Sequence, residues 1–384
     1  MTRPHSLSGA DFAALARGGG GTGAVRALVA ARRSRTLLLL RFVVGRDPSA
    51  RQAFEVLAEA RRVAPAEVER LLDDPAVSAW ATRTAVALGR GRGARPAELA
   101  HVAAAAAVRA GLDVALDFPA SDGFPLPSLG HVDRPVRGTV RVDRLEWRPT
   151  PEIAVGGGVV FRLERWSGVP DALRVDPRAD VARWRERVTA AWDLLALRHP
   201  AVAEEVAAAV TVLAPLRSAE GGMSSATLGD AFGCVFLSLG PDARSVAVTL
   251  AHEVQHTKLV ALMDLFPLLR PDPGRRFYAP WRDDPRPLAG LLHGTYAHLG
   301  VAGFWRRERE ADEDGHVEFA RWRTAALDTT ATMLGSGGLT AIGRDLVTGM
   351  AEVLAEWADE PVPPAALERA RALADEHRRL ATAP

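Results

Sequence analysis

Leu250-Ala251-His252-Glu253-Val254-Gln255-His256-Thr257-Lys258-Leu259 lies inside an apolar run of helical period. Val246, Leu250, Val254, Leu259, Leu262, Met263 and Phe266 cover nearly every side of the cylinder, and a helix apolar almost all round is a buried one. His252 and His256 are four residues apart and share a face of it. Two neutral imidazoles so placed can grip one divalent ion. Glu253, about 100° round the helix from His252, can act on a metal-bound water or orient a ligand. Burying three polar side chains without such a role would cost free energy on the kcal/mol scale, so the pattern points to a metal centre. Pro241 and Asp242 open the helix, and Pro267 followed by Pro271-Asp272-Pro273-Gly274 closes it.

A catalytic metal needs a third protein ligand and open positions for water, co-substrate or dioxygen. The first candidate is His293, 37 residues beyond His256 in Leu291-Leu292-His293-Gly294, where the glycine permits close approach of a neighbouring backbone. His298 lies on the same predicted helix about 140° away from His293, so the two are not expected on one ion. Glu308 forms Glu-x-x-x-Asp with Asp312, a pattern like that of gluzincin peptidases, but Arg306-Arg307-Glu308-Arg309-Glu310 reads as a solvated face. His293 is therefore the expected ligand, with Glu308 and His298 as alternatives. His5, His101, His131, His199, His316 and His377 read as surface or packing residues.

Outward from the motif, the composition is that of an ordinary soluble globular chain: 48 % hydrophobic and 25 % charged over 384 residues. A net charge of +1 gives no field to steer nucleic acid or an anionic membrane. Cys234, the single cysteine, excludes an internal disulfide framework and a cysteine-rich metal cluster, and its apolar neighbours suggest a buried thiol. The first residues lack a signal-peptide pattern and the run from Thr36 to Arg41 is too short to cross a bilayer, so a cytoplasmic location is expected.

Helical patterns cover 24–44, 50–63, 66–72, 77–88 and 96–112. The glycine run Gly18 to Gly23 carries no phosphate-loop signature and reads as a flexible turn. Prolines and glycines from Pro119 to Gly130 mark a change of composition, after which 138–147 and 152–163 alternate as strands, with Gly156-Gly157-Gly158 as a turn or bulge. Helices are predicted again over 180–197 and 201–212. A polar loop runs from Glu220 to Ser225, and a strand over 232–239 leads into the histidine helix. The loop from Gly274 to Pro287 is long and rich in arginines and aromatics, and helices over 288–309, 316–333 and two more finish the chain. The expected fold is α+β: mostly helical, with a small antiparallel β region and a buried HExxH helix beside a strand. The expected divisions are a helical 1–118, a β-rich 119–170 and a metal-binding 171–384.

The most specific stretches are Leu250 to Leu259, Phe277-Tyr278-Ala279-Pro280-Trp281-Arg282 and Leu292-His293-Gly294-Thr295-Tyr296-Ala297. With Leu7 to Gly20, Ser34 to Arg41 and Leu126-Pro127-Ser128-Leu129-Gly130, they make the chain resemble the 2-oxoglutarate-dependent HExxH-type peptide β-hydroxylases of ribosomal-peptide biosynthesis over most of its length. The resemblance implies Fe(II), 2-oxoglutarate and dioxygen, with hydroxylation of a β-carbon in a precursor peptide. It makes Arg276 and Arg282 candidates for the distal carboxylate of the keto acid, since arginine binds carboxylates bidentately. Tyr278 and Tyr296, the only tyrosines, are candidates for hydrogen bonds to the co-substrate. The motif alone fits a zinc metallopeptidase equally, with Glu253 as general base and Glu308 as third ligand. A peptide-binding or scaffold protein with a relict site is the third reading.

Overall fold

The structure is a computed structural model that describes residues 5–166, 169–170, 173–218 and 222–382. The chain begins with helices α1 (Gly9–Ala16), α2 (Gly21–Arg46), α3 (Arg51–Val63), α4 (Pro65–Leu72), α5 (Pro75–Gly89) and α6 (Leu99–Ala110). Short strands follow: β1 (Ala115–Ser121), β2 (Phe124–Leu126), β3 (Gly130–Val132), β4 (Val136–Arg141), β5 (Arg148–Pro149), β6 (Glu152–Ala154) and β7 (Val160–Leu163). Next come α7 (Val181–Arg198), α8 (Pro200–Ala209), β8 (Val212–Pro215), β9 (Ser225–Ala226) and β10 (Cys234–Leu237). Five helices end the chain: α9 (Ala243–Leu265), α10 (Leu288–Glu308), α11 (Glu313–Gly335), α12 (Ala341–Ala358) and α13 (Pro364–Thr382). The fold is α+β and mostly helical, as the periodicity predicts.

Two compact units form, and they are not the three contiguous segments expected from composition. One, the histidine unit, joins Met1–Leu28, Arg187–Ala209 and Gly240–Pro384; the other, the sheet unit, joins Val29–Glu186 and Val210–Leu239. Two of the four boundaries fall inside α2 and α7, where helical periodicity runs on without any punctuation to mark them; the other two follow α8 and precede Gly240.

In the sheet unit, α3 and α4 pack on α6, whose Ala103 to Ala107 are fully buried and let the helices approach closely. His101 on α6 is a packing residue, as expected: its ring stacks on Phe124 at 4.0 Å, and burial pushes its pKa down to about 4. The β region is mixed, not simply antiparallel. A five-stranded sheet has the order β6-β7-β8-β10-β9, with β8 parallel to both β7 and β10. Two smaller antiparallel sheets, β1-β4 and β2-β3-β5, complete it. The helix expected over 201–212 stops at Ala209, and Val212–Pro215 is the strand β8 with all four residues buried. Of the polar loop expected from Glu220, residues 220 and 221 lie outside the described residues, and its end, Ser225–Ala226, is β9. Arg162 holds Asp74 at 2.6 Å and Glu164 at 2.9 Å inside this unit. Burial, then the Asp74 charge, pushes the Glu164 carboxyl up to about 7. Cys234 is buried, and that burial raises its thiol well above the ordinary value.

In the histidine unit, α10 packs on α9 and α11, and α11 on α12 and α13. Asp242 caps α9 by accepting from the Ser245 backbone N–H at 2.8 Å, which fixes where the histidine helix starts. α10 reaches α9 closely because Gly300 faces it: a Cβ there would stand 2.9 Å from the Ala251 carbonyl and 2.6 Å from Gln255 Cγ. The glycine run is not a free turn. Lys258 Nζ donates to Gly18 O (2.8 Å) and Gly19 O (3.0 Å), and the Gln255 amide also donates to Gly18 O (2.8 Å). β10 leads into α9 through Ser238–Asp242, the strand belonging to the sheet unit and the helix to the histidine unit.

Candidate metal centre

His252 and His256 project from one face of α9 with their Nε2 atoms 3.1 Å apart. Two ligands each about 2.1 Å from one ion are separated by about 3.0 Å at a right angle and about 3.4 Å at the tetrahedral angle. The pair is thus already at ligand spacing. Glu253 is 1 % exposed, and its Oε1 lies 3.8 Å from His252 Nε2. Among the described residues, only His252, Glu253 and His256 form a group of potential ligand atoms all within 4.8 Å of one another. The His252 side chain keeps 23 % of its surface exposed.

α10 brings two more imidazoles to the pair. The His293 ring centroid is 5.7 Å from that of His256, and the His298 centroid is 5.2 Å from that of His252. The crossing places α10 so that its two histidines lie beside different rings of the pair, His293 by His256 and His298 by His252. Neither brings its nitrogen into the compact group of His252, Glu253 and His256.

His298 is the better held of the two. Its Nδ1–H donates to the Gly294 carbonyl at 2.8 Å, which leaves Nε2 with a free lone pair. Its ring stacks on Trp281 (4.6 Å) and lies tilted against Trp322 (4.5 Å). Gly294 makes room for Trp281 rather than for a neighbouring backbone, since a Cβ there would lie 2.2 Å from the Trp281 indole. Trp281 belongs to a stretch whose aromatics are conspicuous in sequence. Trp322 carries no local signal, because what it touches is on another helix.

Burial lowers the pKa of His252, His256 and His293, and drives His298 down to about 3. The neighbouring imidazoles add to the lowering at His256. All four are therefore neutral at pH 7, the form that binds a metal.

Glu308 is not a solvated residue and not part of this group. It is fully buried, and its Oε1 is held by His199 Nε2 at 2.8 Å and Arg198 Nε at 3.1 Å. At 1.5 Å per residue it lies about 15 Å further along α10 than His298. His199 is correspondingly a buried partner, stacked on Phe304 at 4.2 Å, where a surface residue was expected. Arg276 and Arg282 are exposed, and each is engaged by a neighbouring carboxylate, Asp272 at 3.6 Å and Asp284 at 3.1 Å. Tyr278 shares a 2.8 Å hydrogen bond with His377 Nδ1. Tyr296 is fully buried and donates to Leu15 O at 2.6 Å, a packing role.

The shifted groups predict how stability follows pH. A histidine whose folded pKa lies below its unfolded value of about 6.5 binds its proton only on unfolding, so stability falls as pH drops below 6.5. From pH 7.5 to 5, His298 removes about 2 kcal/mol from the histidine unit at 1.36 kcal/mol per unit. His101 removes a similar amount from the sheet unit. Glu164, raised to about 7, has the opposite sign and returns about 2 kcal/mol there, because the folded state takes up its proton first. Hydrogen exchange of the metal-free protein is expected to show α9 and α10 losing protection at pH 5 while α6 keeps it. Equal loss in both units would count against these environments.

No protein-family model matches the chain, and no curated protein matches it. No helix among the described residues is long and apolar enough to cross a membrane.

Proposed function

We propose that the chain is an Fe(II)- and 2-oxoglutarate-dependent oxygenase that hydroxylates a β-carbon in a ribosomally made precursor peptide. The observation that carries the metal chemistry is the gathering of four neutral imidazoles, two from α9 and two from α10, with the one rival carboxylate, Glu308, tied to His199 and Arg198. The identity of co-substrate and peptide rests on the resemblance of the three quoted stretches. His252 and His256 would hold the ion, with His293 or His298 as the third ligand. Bound there, iron would activate dioxygen with the keto acid as two-electron donor: one oxygen atom goes to the peptide C–H and the other to succinate, with carbon dioxide released. Glu253, beside His252, would orient a ligand or water. Trp281 and Trp322 would keep His298 in one orientation.

Glu253 also keeps a second reading open, a zinc hydrolase in which its carboxylate takes the proton of a metal-bound water. The Glu308 ligand of that reading is replaced by an imidazole. Mass spectrometry of a candidate precursor peptide after incubation with enzyme, Fe(II) and dioxygen separates the two. A gain of one oxygen atom that requires 2-oxoglutarate is expected. Cleavage of the peptide without the keto acid would overturn the oxygenase reading in favour of the hydrolase.

A further inference from the structure

α11, α13 and the loop carrying Tyr278 enclose a cleft of about 630 Å³ within the histidine unit. Arg321 and Arg323 of α11 line it, with Arg371 and Arg378 of α13, and Asp328 is the only carboxylate residue among those that line it. Arg323 is committed internally, donating to the carbonyls of Trp357 and Glu360. Arg321 lies over the Trp322 ring at 4.4 Å and Arg378 over the Tyr278 ring at 5.1 Å. Neither Arg321 nor Arg371 has an ion pair among the described residues. Four arginines against one carboxylate residue in the lining give the cleft a positive charge, and the planar forks of guanidiniums suit carboxylates. The cleft also adjoins the histidine cluster: Trp322, next to Arg321, packs on His298.

We propose that this cleft recognises acidic side chains in an extended segment of the peptide substrate, with Arg321, Arg371 and Arg378 as their carboxylate partners. The proposal deepens the peptide-oxygenase reading and rests on it for the ligand being the substrate. A cleft of this size exceeds one small dicarboxylate and suits several residues of an open chain. The side chains would be held a short distance from the histidines, so the cleft would select which peptide segment reaches them.

The test uses two fluorescein-labelled peptides of about twelve residues, one alternating glutamate with alanine and one alternating lysine with alanine. Anisotropy with the full chain is expected to show binding of the glutamate probe alone, weakening as salt rises. Arg371→Glu with Arg378→Glu is expected to weaken it at least about tenfold. Arg371→Gln with Arg378→Gln, milder substitutions at exposed positions, is expected to fall between. Equal binding of the two probes, no binding of the glutamate probe, or unchanged binding in both variant pairs overturns the proposal. Displacement by free glutarate at the probe's own concentration also overturns it, by making the cleft a small-dicarboxylate site. Loss of the oxygenase reading is a separate result: a peptide that binds through these arginines yet gains no oxygen sinks the chemistry and leaves the cleft.

Discussion

His252→Ala and His256→Ala are each expected to reduce bound metal from one ion per chain to none while the helical signal persists. The two rings already hold their nitrogens at ligand spacing, and a remaining single imidazole on α9 cannot chelate. The fold should survive because α9 is held by its other faces: the Asp242 cap, the Gly300 contact with α10, and the buried Leu250, Val254, Leu259 and Leu262. Removing an imidazole from a cluster of neutral rings leaves no unpaired charge behind. Metal analysis of the purified variants checks this, and full occupancy in either would overturn the assignment. His293→Ala and His298→Ala then decide the third ligand. Sequence reasoning favours His293, whose loss is expected to remove both metal and 2-oxoglutarate binding. The Gly294 hydrogen bond and the two indoles make His298 the better prepared rival. A third imidazole leaves the full 2+ charge of the ion to attract the dianionic keto acid, whereas a carboxylate would weaken that attraction by a Coulomb term on the kcal/mol scale at an effective dielectric of about 20. Glu308→Ala is accordingly expected to keep the metal. Anaerobic Fe(II) titration of these variants, followed by 2-oxoglutarate, ranks them.

The histidine pair was legible in sequence because helical spacing is local: four residues suffice to put two rings on one face, and the surrounding apolar residues announce burial. The long helices were legible for the same reason. What local pattern misses is what depends on a distant partner. Val212–Pro215 is four apolar residues after an alanine-rich helix, with no alternation to separate strand from helix, and its parallel neighbours β7 and β10 lie far along the chain in both directions. Glu308 sits among arginines and reads as exposed, yet the charges around it in sequence are not those that bury it; Arg198 and His199 arrive from the end of α7. His293 and His298 look mutually exclusive as ligands of one ion, and only the crossing with α9 shows that each lies beside a different ring of the pair. Gly18 and Gly19 read as loose because a clamp from Lys258 is invisible from either segment alone.

That clamp carries the second large effect. Lys258→Met is expected to destabilise the histidine unit by about 3–5 kcal/mol, the range for removing one partner of a buried ion pair. Lys258, the only lysine in the chain, is fully buried on α9, with Nζ 2.6 Å from Glu205 Oε2 on α8. Glu205 uses its other oxygen to accept from the Gly21 backbone N–H at 3.0 Å. One ammonium therefore joins α8, α9 and the segment between α1 and α2 through three hydrogen bonds. Without it, the Glu205 carboxylate is left buried with a single backbone donor, and the Gly18 and Gly19 carbonyls lose the ammonium. Pairing Lys258→Met with Glu205→Gln removes the stranded charge and is expected to recover part of the loss, so the double variant should exceed the single in urea midpoint. A single variant within about 1 kcal/mol of the parent would show that the ammonium is not buried in this way, since even a surface pair is worth up to that amount. Lys258 lies two residues beyond His256, about 200° round the helix. Its ammonium anchors the side of α9 away from the metal pair, so the expected fall in stability should exceed any fall in metal affinity measured on the folded fraction.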